Sequence, residues 1–184
     1  PYLQKYSDIM TMSGAHDFVI GKGLIPTYHV DADPRPHKAI FLTKPHPDVQ
    51  YLMASSSTVE VIDRLLPYHL KLWNLEATAA FKYPAGEDTI PPRGSVSAAC
   101  VQIGYMLGYR QMSLFGLDSS FAPTGETHAG FHPNSANQGE LVYIAVGKFV
   151  PGAGLEAYKV YKTSKLLVCF AKELHRLMTE VYSD

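Results

Sequence analysis

The chain has 184 residues, 46% hydrophobic and 18% charged, which suits a single domain with a real core. Its formal net charge of -1 supplies no global basic field, which argues against nucleic acid and anionic lipid as partners. The two cysteines, Cys100 and Cys169, lie in apolar, helix-like stretches and read as buried small side chains, not a disulfide framework; this favours a reducing, cytoplasmic compartment.

No apolar run approaches the roughly 20 residues of a bilayer span, and no signal-peptide pattern opens the chain. Asp8 to Ser13 reads as a short buried strand, followed by a helical stretch around His16 to Lys22 that Gly23 stops. Thr27 to Val30 is a second strand. Pro34 and Pro36 keep the next segment from starting as helix. Tyr51 to Ala54 is a third strand, and Ser57 or Thr58 caps a helix through Leu66. His69 to Trp73 is a fourth.

A loop of about 20 residues follows, longer than compact domains usually hold without a functional reason. Gly94-Ser95 then opens a helix whose inner face is Val96, Ala99, Cys100, Ile103 and Leu107, ended by Gly108. Gln111 to Gly116 reads as a fifth strand. Leu141 to Val150 and Leu155 to Tyr161 read as a hairpin around Pro151 to Gly154. A last helix from about Ser164 to Val181 turns Leu167, Phe170, Leu174, Leu177, Met178 and Val181 inward. The alternation predicts an α/β fold over residues 1–184. It is a single Rossmann-like domain with a mainly parallel sheet, helices on both faces and a late hairpin at a mixed edge. Ligands of such sheets bind beyond the carboxyl ends of the strands. That rule selects Ser13-Gly14, Asp31 to Arg35, Ser55 to Ser57 and Asp118 to Ser120.

Asp31 and Asp33 form a D-x-D pair that can hold Mg²⁺ against a diphosphate, because hard cations take oxygen ligands. The other reading is that the two carboxylates cap a turn and pair with Arg35 or Lys38. Gly94-Ser95 offers either free backbone donors for an anion or a plain helix cap. Asp118, Ser119 and Ser120 suit ribose, phosphate or metal. His128 and His132, with Glu126 nearby, have a zinc-like spacing but stand in a Gly- and Pro-rich stretch. A proton-transfer role for His128 fits that context better. The chain lacks G-x-G-x-x-G, G-x-x-x-x-G-K-[ST] and G-x-S-x-G, which argues against an ordinary Rossmann dehydrogenase, a P-loop NTPase and an α/β-hydrolase.

The stretch GSVSAACVQIGYMLGYRQMSLFGLDSSF, with SGAHDFVIGKGLIPTYHVDADPR and YLMASSS, resembles the MptE-like (6-hydroxymethylpterin diphosphokinase-like) family. The same core is similar to motility-associated-factor glycosyltransferases and, more distantly, to bacterial sialyltransferases. The resemblance implies a nucleotide across the strand ends, with Ser13, Gly14, Asp33, Gly94, Ser95 and Asp118 at the matching positions; the strand-end rule adds Ser55, Ser119 and Ser120, and Asp118 and His128 are the catalytic candidates. Diphosphokinase chemistry would require Mg²⁺, held by some of Asp31, Asp33 and Asp118, with a nucleoside triphosphate or nucleotide sugar as co-substrate and a small-molecule or glycan acceptor. A homo-oligomer is left open.

Two departures qualify it. No histidine stands between Trp73 and Gly94, where the sialyltransferases carry a catalytic one. The chain also starts after the place where these families have a phosphate loop. The expected function is a nucleotide-dependent transferase, with a glycosyltransferase and a degenerate nucleotide-binding module as alternatives.

Overall fold

The computed structural model describes residues 2–76, 83, 87, 89–91, 94–117, 119–121 and 140–181. The chain divides into two compact units, Pro1–Gln111 and Met112–Asp184.

The first unit carries a five-stranded sheet in the order β1-β2-β3-β4-β5, with every pairing parallel. The strands are β1 (Met10–Met12), β2 (Tyr28–Asp31), β3 (Gln50–Ala54), β4 (His69–Leu75) and β5 (Thr89–Ile90). Between them run α1 (Ala15–Gly21), a 3-10 helix (Pro36–Phe41) and α2 (Val59–Leu65); α3 (Val96–Met106) follows β5. The proline at the start of the 3-10 helix suits a position whose N–H would be unpaired anyway.

Period-two alternation assigns the two faces. Tyr51 and Met53 point to one side and pack with Ala39, Leu42, Val49, Val61 and Leu65. Val30 and Leu52 point to the other and pack with Ile90, Cys100 and Ile103. The expected helices on both faces are therefore present. α3 is the most enclosed element: seven of its eleven residues, Ala98 to Gly104, are buried. Small side chains allow that close approach to β1 and β2. Burial pushes the Cys100 thiol well above its usual pKa.

The second unit contains the late hairpin, β6 (Leu141–Val150) and β7 (Gly154–Ser164), followed by α4 (Lys165–Arg176) and a single π-type turn over Leu177–Val181. The hairpin forms its own two-stranded antiparallel sheet and gives the parallel sheet no mixed edge.

Several local expectations are corrected. Gln111 to Gly116 forms no strand. Strand propensity rewards packing on a pleated surface, but Met112 and Phe115 are exposed and Gly116 turns at φ 71°. The fifth strand is Thr89–Ile90, inside what reads as a long loop. Leu107 is exposed because the chain leaves the sheet there, ahead of Gly108 at φ 97°. Met178 is exposed and Leu177 fully buried, since a π-type turn shifts the helical phase. Cys169 is exposed, on the face of α4 that carries Lys165, Leu166 and Lys172. No described helix is long and apolar enough to cross a membrane.

Candidate functional site

The candidate site lies at the carboxyl ends of β1 and β2. β1 is followed by Ser13, a non-glycine residue in the left-handed region at φ 48°, and α1 begins two residues on. β2 ends in Asp31, and the chain then turns through Asp33 into the 3-10 helix that carries Lys38. Asp31 Oδ1 accepts from the backbone N–H groups of Ala32 (2.7 Å) and Asp33 (3.0 Å), an Asx turn that fixes the carboxylate. Asp33 Oδ1 accepts from Arg35 N (3.1 Å) and Nε (2.8 Å), and Arg35 Nη2 donates to Oδ2.

Lys38 joins these parts. Its side chain is only 7% exposed. Its ammonium stands 3.6 Å from Asp31 Oδ2 and 3.4 Å from Asp33 Oδ2, and it donates to Ser13 Oγ. The pairing of carboxylates with Arg35 and Lys38 is thus present as one cluster, balanced at two carboxylates and two cations. Burial raises the Asp31 pKa, with Lys38 opposing. Burial also acts to raise Asp33, but the bonds from Arg35 and the charge of Lys38 prevail and lower it to about 2.

Behind this cluster, on the same face, lies a buried polar row that the sequence reading missed. Thr11, His29 and Tyr51 are register partners on β1, β2 and β3, and His16 of α1 covers them. His16 and His29 are both fully buried, with ring centroids 4.9 Å apart. His16 Nδ1 bonds Asp17 Oδ1 at 2.8 Å and Nε2 bonds the Tyr51 hydroxyl at 3.1 Å. The Tyr51 oxygen accepts from His46 N at 2.7 Å, and burial pushes its pKa up to about 12. Burial acts to raise Asp17, but bonds from Thr43 and His16 outweigh it and lower its pKa. Thr11 Oγ1 donates to the Tyr28 carbonyl and meets His29 Nδ1 at 3.1 Å, while His29 Nε2 has no partner. Alternation along Tyr28–Asp31 carried a signal for this row, because it places His29 on the face of Asp31.

Ser13, Asp31 and Asp33 are brought together, and Gly14 sits beside them under the Phe41 ring. Ser55 follows β3 at the same sheet edge and is exposed; its N–H donates to the Trp73 carbonyl. Gly94, at φ 76°, and Ser95 follow β5 at that edge and lead into α3 on the opposite face. Ser95 Oγ accepts from Ala98 N at 3.3 Å, which makes it a helix cap. Ser95→Ala is expected to cost about 1 kcal/mol, read as a lower urea midpoint. Ser119 and Ser120 belong to the second unit, where the Ser119 carbonyl accepts from Thr163 Oγ1 at 2.6 Å. Asp118, Glu126, His128 and His132 lie outside the described residues.

Among the described residues no group of three or more His, Cys, Asp or Glu side chains is placed to hold a metal. Among the described residues, the sequence-derived candidates for a cation are the carboxylates of Asp31 and Asp33. They fit one, since an ammonium already stands where Asp31 Oδ2 and Asp33 Oδ2 converge. Mg²⁺ in nucleotide sites is commonly held by one or two carboxylates plus substrate phosphates. Comparison with family models, curated proteins and solved structures returned no match.

Proposed function

We propose that the chain is a nucleotide-dependent transferase of the 6-hydroxymethylpterin diphosphokinase-like kind, with phosphate groups held at the carboxyl ends of β1 and β2. The supporting observation is the convergence of Asp31, Asp33 and Ser13 on the single ammonium of Lys38. A parallel sheet directs ligands to this edge, and Lys38, Asp31, Asp33 and Ser13 supply cation, carboxylate and hydroxyl chemistry from the segments that follow β1 and β2.

In this reading Asp31 and Asp33 hold Mg²⁺ against the diphosphate. A metal held there would supply charge neutralisation for the phosphate oxygens. Lys38, released from the carboxylates, turns its ammonium to the phosphate oxygens. Ser13 Oγ donates to the same group, and the Asx turn at Asp31 keeps its carboxylate aimed. Positioning and charge neutralisation carry most of the rate in such transfers. Ser55, Gly94 and Ser95 line the same sheet edge, Asp118 belongs to the proposal through the family resemblance, and Ser119, Ser120 and His128 through the sequence pattern alone.

The test is a thermal-shift and calorimetric series with ATP, GTP, CMP and a CMP-linked sugar, each with and without Mg²⁺. We expect a Mg²⁺-dependent rise with a purine triphosphate and at least ~10-fold weaker binding in Asp33→Asn, which loses a metal ligand. Preference for the CMP-linked sugar would select the glycosyltransferase alternative. Shifts that ignore Mg²⁺, or an Asp33→Asn chain that binds like the wild type, would remove the reading.

A further inference from the structure

We propose that Arg64, on α2 and outside the strand-end cluster, is a positioning residue: it fixes the 3-10 helix of Pro36–Phe41 so that the Lys38 ammonium stays at Asp31, Asp33 and Ser13. That this ammonium serves a phosphate rests on the nucleotide reading; the clamp itself does not.

The 3-10 helix has little of its own to hold it. It is six residues long, and 3-10 runs beyond three or four residues are uncommon because their hydrogen bonds are poorly aligned. No side chain caps its start, and the last carbonyls of a helix find no partner within it. Yet this short element carries Lys38, whose buried ammonium meets groups that follow two different strands.

Arg64 supplies the missing partners. Its Nη1 donates to the Ala39 carbonyl and, at 3.0 Å, to the Leu42 carbonyl, 25 and 22 residues back along the chain. Its Nη2 donates to Glu60 Oε1 at 3.3 Å, an i,i+4 pair within α2. One planar fork therefore ties the C-terminal end of the 3-10 helix to α2. A lysine offers only a point charge on a flexible stem.

Packing gives the clamp its leverage. Ala39 and Leu42, whose carbonyls Arg64 holds, share one apolar cluster with Val61 and Leu65 of α2. Apolar burial is non-directional, so it sets how closely the two elements approach and leaves sliding open. The two directed bonds close off that slide. Lys38 directly precedes Ala39, and a slide by one residue of 3-10 rise, about 2 Å, would draw Nζ out of its contacts of 3.6 Å with Asp31 and 3.4 Å with Asp33.

The plainer account makes Arg64 a surface residue paired with Glu60. That pair is 31% and 62% exposed, and such pairs contribute little. It also gives no reason for two partly buried bonds from a charged donor to distant carbonyls, which are the stronger kind.

The experiment is NMR on the ¹⁵N-labelled full chain without nucleotide. A lysine ammonium gives a ¹H–¹⁵N signal where burial and hydrogen bonds slow its exchange with water. We expect one such signal, assigned to Lys38 by its loss in Lys38→Arg. In Arg64→Met, which keeps an unbranched stem and removes the donors, exchange should quicken roughly 10-fold or more and the signal should broaden away. Arg64→Lys, which keeps charge and stem without the fork, should show the same loss to a smaller degree and carries the test if Arg64→Met does not fold. Glu60→Gln should keep the signal, and the amides of Val30 and Leu52 should keep their protection in every variant. Where the wild type binds Mg²⁺-ATP, Arg64→Met should bind it roughly 10-fold more weakly. No protected ammonium in the wild type, an unchanged signal in the Arg64 variants, an equal loss in Glu60→Gln, or a parallel loss of sheet protection would each overturn the proposal. Absence of Mg²⁺-ATP binding in the wild type would instead remove the nucleotide reading and leave the ammonium signal to decide the clamp.

Discussion

Lowering the pH from 7 to 4 is expected to remove about 3 kcal/mol of folding stability through His29 alone. This imidazole is fully buried, its Nε2 has no partner, and His16 lies against it. Burial first, and the nearby His16 second, lower its pKa from 6.5 to about 3; Asp17 opposes and Lys38 reinforces the shift. The unfolded chain binds a proton near pH 6.5 and the folded chain refuses it until about 3. Between those values the unfolded state holds more protons, so stability falls as pH falls, by up to about 1.4 kcal/mol per unit. Above pH 6.5 the group exacts nothing.

The carboxylates act in a different window. Asp33, lowered to about 2, contributes stability that is lost mainly below 3.8. Asp17, also lowered, acts in the same sense. Asp31, raised by burial, works oppositely above 3.8. The span from 6.5 to about 5 lies above the window of Asp17 and Asp33, and the comparison with a His29 variant separates this imidazole from other groups. Urea midpoints at pH 7.5 and 5.0 measure it: the wild type should lose stability, and His29→Leu should lose markedly less. Equal losses in both chains would show that His29 is not the group responsible.

Replacing Lys38 with Met should destabilise the fold by about 3–5 kcal/mol, the cost of removing one partner from a buried charge cluster. Asp31 and Asp33 have side chains only 7% and 15% exposed and would face each other without the ammonium. Arg35 would still compensate Asp33, so the burden falls on Asp31. The double variant Lys38→Met/Asp31→Asn should recover much of the loss, because an amide oxygen can still accept from Ala32 and Asp33 while carrying no charge. A double-mutant cycle by urea denaturation gives the coupling. Additive losses would mean that Lys38 and Asp31 do not stabilise one another.

The parallel sheet was legible because four strands alternate with helices, and each begins or ends on a residue that breaks periodicity. Thr89–Ile90 was not, since two residues carry no period and stand amid Pro, Gly and charge. Gln111 to Gly116 misled for the converse reason: its pattern suits a strand, but a strand exists only where a neighbour completes its ladder. Ser13, Asp31 and Asp33 could be found from sequence, because strand ends are where ligand chemistry gathers. The row of Thr11, His29 and Tyr51 could not. It depends on the register of three strands: alternation along β2 puts His29 on the face of Asp31, but no spacing along the chain aligns Thr11 and Tyr51 with it. Lys38 was visible only as one of two partners for the carboxylates, and its contact with Ser13 depends on the path of the 3-10 helix.

The strictly sequential strand order has a consequence for how the molecule is made. Each strand adds beside the one synthesised just before it, so the sheet can grow in step with the ribosome. A nascent chain that has emerged as far as Leu70 already owns every residue of the cluster around Tyr51 and Leu65. The opposite face must wait for Ile90, Cys100 and Ile103. During that interval Val30 and Leu52 are uncovered. The partly made protein is a half-covered sheet whose bare side invites chaperones and self-association until α3 arrives.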